Sequence, residues 1–139
     1  MCRGKLKARE TTCRARGLQR QKDGTECAYY MSLYFPTPDE FGRHTIFLGV
    51  EIKTCVAEKM MLSVANLAPH AVVEEHSHPH EQVGMVLEGR AVFTIGGEER
   101  TLGAGDLFCI PGNIRHKVVA LDQPVKVLDV FHPVREEYR

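Results

Sequence analysis

The chain reads as an all-β domain, a sandwich or barrel of short strands, and three observations carry that reading. Runs rich in β-branched and aromatic residues recur from Thr45 onward, each bounded by Gly, Pro, Asn or Asp. Within the runs apolar and polar side chains alternate, as in Val125 to Phe131. No stretch holds a helical period over several turns, so roughly nine or ten strands account for the domain.

Taken in order, Pro36-Thr37-Pro38-Asp39-Glu40-Phe41 predicts a lead-in with one helical turn, capped by Asp39 or Thr37. Thr45 to Val56 and Met60 to Leu67 are β-rich runs separated by Glu58-Lys59. Ala68-Pro69-His70 turns the chain into Val72 to His78. Pro79 then lacks a ladder donor and ends that run, and the next strand starts at Gln82. Arg90 to Ile95 pairs back across Gly96-Gly97-Glu98-Glu99 as a hairpin. Gly103 to Asp106 is a turn in which the Asp106 carboxylate accepts from nearby backbone amides. Leu107 to Ile110, Ile114 to Leu121 and Val125 to Phe131 complete the strands.

Length and composition set the outer limits. With 139 residues, 43% hydrophobic content and no net charge, the chain holds one globular domain. No apolar run approaches the roughly 18–20 residues of a membrane span, and none reads as a secretory leader. Neutrality argues against nucleic acid as the main partner. Cysteines at 2, 13, 27, 55 and 109 form no C-x-x-C pair, which fits reduced thiols in a cytoplasmic protein, and Cys55 and Cys109, in strands, are expected to be packed and unreactive. Charge is uneven: Met1 to Tyr30 carries eight Lys/Arg against three acids, and has no apolar periodicity. Residues 1–32 are therefore expected to be a basic, poorly ordered extension, and 33–139 the barrel domain.

Chemistry concentrates in His76-Ser77-His78-Pro79-His80-Glu81-Gln82. Alternate side chains of a strand share a face, so His76 and His78 are expected to project together. Two imidazoles so placed can hold a divalent cation, and the Gln82 carbonyl oxygen can add a third ligand. Downstream, Gly105 to His116 runs turn, apolar strand, turn and histidine.

These two stretches together resemble the two signature motifs of the cupin superfamily. In the first, His76, His78, Gln82 and Gly89 match, with Gln82 in place of the usual Glu and His70 in place of the leading Gly. In the second, Gly105, Pro111 and His116 match, with Asn113 in place of the second Gly. His and Asn both tolerate the left-handed backbone those glycines supply, so the two changes are mild. Gln82 matters more, because it keeps an oxygen donor and removes a negative charge. The resemblance spans roughly Leu33 to Tyr138. It implies a single cupin double-stranded β-helix, a jelly-roll barrel, with one divalent transition metal (Zn, Ni, Fe or Mn) on His76, His78, Gln82 and His116. His80 is expected at the rim, and Glu81 is a ligand only if the turn is one residue shorter.

Leu128 to Arg135 adds a further signal. By alternation Asp129 and Phe131 share a face with Val125 and Val127, where a carboxylate is costly unless paired or functional. From pattern alone Asp129 points either inward or to solvent. The Asp-x-Phe-x-Pro-x-Arg spacing is similar to that of the pectin-degradation cupins that linearise unsaturated uronates, a group that also shows His-Ser-His-Pro-His-Glu-Gln. That resemblance implies Asp129 as general acid/base, Phe131 as a pocket wall and Arg135 as partner of a substrate carboxylate. The expected function is a metal-dependent enzyme acting on a small acidic substrate. An iron dioxygenase and a non-catalytic module for metal and small ligand are the alternatives. A homodimer burying part of Thr45 to Val56 is expected, since exposed sheet edges are commonly paired.

Overall fold

The computed structural model describes residues 34–139. The expectation of a basic extension over residues 1–32 lies outside the described residues. Ten strands and two short 3-10 turns are present among them, forming two antiparallel sheets. The strands are β1 (Gly42–Phe47), β2 (Val50–Val56), β3 (Met61–Leu67), β4 (Val72–His76) and β5 (Glu81–Glu88). They continue with β6 (Arg90–Ile95), β7 (Glu98–Gly103), β8 (Leu107–Ile110), β9 (His116–Ala120) and β10 (Val125–His132). One sheet runs β1-β2-β3-β10-β5-β8 and the other β4-β9-β6-β7. The 3-10 turns are Pro38–Glu40 and Glu136–Tyr138. The first is capped at Thr37, whose backbone N–H donates to the Glu40 carboxylate at 2.6 Å.

The core lies between the sheets because strand residues alternate. In β10 Val125, Val127, Asp129 and Phe131 are buried while the residues between them are partly exposed. The apolar cluster joins Val50, Ile52 and Leu67 of one sheet to Ala91 and Phe93 of the other, with Phe93 and Phe108 rings 4.8 Å apart. A sheet with one buried face and period-two patterning has its register set by that burial.

Three expectations are corrected. Thr45 to Val56 is not one strand but parts of two, joined by a turn at Gly49 with φ +72°, so β1 and β2 form a hairpin. Glycine adopts that backbone without steric cost, which is why the run breaks there. The strand carrying His76 ends at that residue, so His78 lies beyond β4 in an irregular bend and does not share a strand face with it. Cys109, expected to be packed, is exposed on β8. His70 and Asn113 adopt φ of 62° and 65°, the left-handed backbone for which they stand in place of glycine. Among the described residues no helix is long and apolar enough to cross a membrane.

Candidate metal centre and adjoining cavity

His76 and His116 face each other as a cross-strand pair, the last residue of β4 opposite the first of β9. Their rings are 4.3 Å apart. The chain after β4 bends through Pro79 and returns as β5, which brings the His78 ring to 5.0 Å from that of His116. One ligating atom from each of His76, His78 and His116 lies within 4.8 Å of the other two. Gln82, second in β5, pairs with Phe131 of β10 and faces the same interior. One sheet thus supplies His76 and His116, the other supplies Gln82, and the bend supplies His78.

The donor chemistry fits a cation. Each ring has its Nδ1 against a backbone carbonyl: His76 on Glu74 at 2.7 Å, His78 on His80 at 3.0 Å, His116 on Ile114 at 2.8 Å. A carbonyl only accepts, so each Nδ1 carries the proton and each Nε2 is left with a lone pair. This is the arrangement by which metal-ligating histidines are commonly oriented. The Gln82 side-chain N–H donates to Asp129 Oδ1 at 2.8 Å, which turns Gln82 Oε1 toward His78 Nε2, 3.2 Å away. Two acceptors then face each other in a buried site, a repulsion that a shared cation relieves. Burial, with Arg135 and His116 nearby, lowers the His78 pKa to about 4. Burial lowers that of His116 as well, outweighing its bond to Ile114. Both rings are therefore neutral at pH 7, the form that binds metal.

Asp129 sits on β10 opposite Ser63 of β3 and Gly84 of β5. It points inward and is 6% exposed. Desolvation pushes its pKa up to about 7, against the opposing effects of the Gln82 hydrogen bond and of Arg135. Gly84 makes its place: a Cβ there would lie 2.3 Å from Phe108 Cζ, 2.7 Å from the Leu128 carbonyl oxygen and 2.9 Å from Asp129 Oδ1. Asp129, Gln82, His76, His116, Phe131 and Arg135 line one cavity of about 70 Å³, whose remaining wall is mostly apolar. At roughly 10–15 Å³ for a water, that is room for several waters or part of a small organic ligand. The Arg135 guanidinium lies 5.1 Å from the Phe131 ring centroid and 4.7 Å from that of Tyr138.

The structure therefore brings together His76, His78, Gln82, His116, Asp129, Phe131 and Arg135. His80 contributes its carbonyl to the His78 ring, whereas its own Nδ1 is buried without a partner. Glu81 is exposed and Arg115 turns outward to Glu75, with Nε to Oε2 at 2.8 Å. Two site residues escape sequence reasoning. Tyr138 lines the cavity, and its carbonyl accepts from Thr54 Oγ1 at 2.9 Å, a contact across 84 positions that no local pattern announces. Gly84 reads as an ordinary strand glycine, although an isolated glycine inside a strand pattern is the available signal for a close approach.

Two facing antiparallel sheets with a histidine cluster between the ends of their strands define a small β-barrel whose three histidines could hold a metal ion. The chain belongs to the cupin family: residues 63–131 match the Cupin domain. It is 30% identical over 83 residues to the pectin degradation protein KdgF of Dickeya dadantii, covering 59% of this chain and 76% of that protein. KdgF from a Halomonas species matches in structure with a TM-score of 0.66 at 29% identity, over 73% of this chain and 94% of that one. The H2HPP isomerase of Bacillus subtilis is 30% identical over 100 residues, 70% of this chain and 41% of that protein.

Proposed function

We propose that the protein is a metal-dependent isomerase that opens the ring of a 4,5-unsaturated uronate or a closely related enol acid. The observation that carries this reading is the Gln82 side chain, which joins the two halves of the site. Its oxygen faces His78 Nε2 and its N–H holds the buried Asp129 carboxylate. His76, His78, Gln82 and His116 would hold one divalent cation, with Zn, Ni, Fe and Mn all compatible with such a donor set. Bound among four neutral ligands, the cation would supply Lewis-acid stabilisation of negative charge developing on oxygen.

The residues of the chain supply the rest. A 4,5-unsaturated uronate is a cyclic enol ether bearing a carboxylate. Removing the anomeric hydroxyl proton forms the aldehyde C=O as the ring C–O bond breaks, and the electron pair passes to the enolate. Protonation of the alkene carbon then gives the open-chain keto acid, so the net change is an isomerisation with no oxidant. Asp129 would take the first proton and deliver the second; burial sets its pKa near 7, where a group can do both. Arg135 would hold the carboxylate in a two-bond geometry that Lys cannot reproduce. Phe131 would wall the cavity and carry the guanidinium. The likeness to the pectin-degradation proteins and to an isomerase supports this reading.

Loss of the ultraviolet absorbance of the unsaturated uronate, above its spontaneous rate, tests the assignment. Metal-loaded wild type should accelerate it, and Asp129→Ala should lose about 10²–10⁴-fold. No acceleration by wild type would remove the assignment. Equal rates would leave the activity but remove Asp129 from it.

We further propose residues 33–139 as the barrel domain of a cytoplasmic homodimer; free Cys55 and Cys109 fit a reducing compartment. Val50 and Ile52 of β2 face the core and so do not serve the interface. The outer row Leu62, Val130, Val83 and Cys109 runs across four neighbouring strands, with Leu62 and Val83 each 41% exposed. Lys53, Lys126, Glu81 and Glu88 border that face with both signs of charge, which suits a second copy of the same surface.

A further inference from the structure

The Arg135 side chain is 12% exposed, yet it already has a carboxylate partner. Its Nε and Nη2 both meet the same oxygen, Oε1 of Glu137, each at 2.9 Å. One oxygen shared by two donors is a weaker grip than two parallel bonds to two oxygens. The anion is also the more exposed member of the pair. Glu137 is 48% exposed and lies in the single 3-10 turn Glu136–Tyr138. The cation is fixed independently, because its guanidinium lies over both the Phe131 and Tyr138 rings. Tyr138 is itself anchored through its carbonyl to Thr54. Rotation of the Glu137 side chain alone would free the Nε/Nη2 edge without moving the arginine.

We propose that Glu137 determines the specificity of the cavity by acting as a stand-in anion on Arg135, which an incoming ligand carboxylate must displace. This rests on the reading that Arg135 receives the substrate carboxylate. A ligand with a carboxylate replaces the one-oxygen contact by a two-oxygen contact and keeps the local charge balanced. A neutral sugar of the same shape offers nothing in exchange and leaves the ion pair closed. Glu137 is ionised for this role: burial opposes its charge, but its own backbone amide, Arg135 and His80 hold its pKa below the ordinary value.

The test is calorimetric titration of D-galacturonate, a stable uronate, and of D-galactose into metal-loaded wild type, Glu137→Gln, Glu137→Ala and Arg135→Gln at pH 7.5. Both Glu137 variants should bind galacturonate roughly two- to fivefold tighter than wild type, the range expected when a partly exposed ion pair no longer competes. Their galactose binding should not change, and Arg135→Gln should lose the preference for the uronate. A residue that merely props Arg135 in place would give the opposite sign, weaker binding in both Glu137 variants. Weaker or unchanged binding, with an Arg135-dependent uronate preference intact in wild type, overturns the role of Glu137 alone. Absence of any Arg135-dependent preference in wild type overturns it together with the assignment of Arg135.

Discussion

Replacing Asp129 by Asn should stabilise the metal-free protein, and by an amount that grows with pH. Asp129 is buried and takes one side-chain hydrogen bond, from Gln82, which Asn can also accept. Its pKa rises from the ordinary 3.8 to about 7 on folding. Because the folded value lies above the unfolded one, its contribution is most favourable below pH 4 and is lost as pH rises through about 7. Each pH unit in that window costs about 1.4 kcal/mol, so the loss across it is at most on the order of 4 kcal/mol. The neutral Asn escapes that loss. Urea or thermal unfolding of chelator-treated wild type and Asp129→Asn should show a gap that widens from pH 4 to 7 and is then flat. The lowered pKa of His78 acts in the opposite direction, adding stability above 6.5 that is lost as pH falls toward 4, but it is common to both proteins and cancels. A gap that is constant with pH, or a variant less stable than wild type at pH 8, would refute the burial argument.

Replacing His78 by Ala should strip most of the metal from protein purified without chelator, whereas His80→Ala should retain it, because His80 acts through its backbone carbonyl. Elemental analysis of the purified variants decides between them. Gly84→Ala should cost about 1–3 kcal/mol or prevent folding, since its Cβ would collide with Phe108 and the Leu128 carbonyl. Denaturant titration measures that loss, and a neutral result would mean that β5 and β10 shift apart easily. Light scattering at micromolar concentration should give the mass of a dimer, and Val83→Glu should shift it to a monomer. A monomeric wild type would remove the sheet-face interface.

The sheets were legible because their physics is local. Alternation in β10, the Gly96-Gly97 hairpin and the Asp106 turn each follow from a few adjacent residues, and Gly103 N–H does meet Asp106 Oδ2 at 2.8 Å. The break at Leu48-Gly49 is not legible because apolar residues on both sides mask a turn that rests on one glycine. In the site, His-x-His spacing suggested a shared strand face. The structure reaches proximity by another route, a cross-strand pair of His76 with His116 and a bend that returns His78. The link from Gln82 to Asp129 depends on diagonal neighbours of β5 and β10, 47 positions apart. Register of that kind is set by the whole sheet, so neither this contact nor that of Thr54 with the Tyr138 carbonyl is written in any short window.

The proposed function requires a His76/His78/Gln82/His116 metal centre and Asp129 to act together on an unsaturated uronate. The most direct test is the rate of uronate absorbance loss while metal-stripped protein is titrated with a divalent cation. The rate should rise linearly to one equivalent and then stay level, with His78→Ala flat throughout. A wild-type rate that is independent of metal, or that never exceeds the spontaneous reaction at full occupancy, would contradict it.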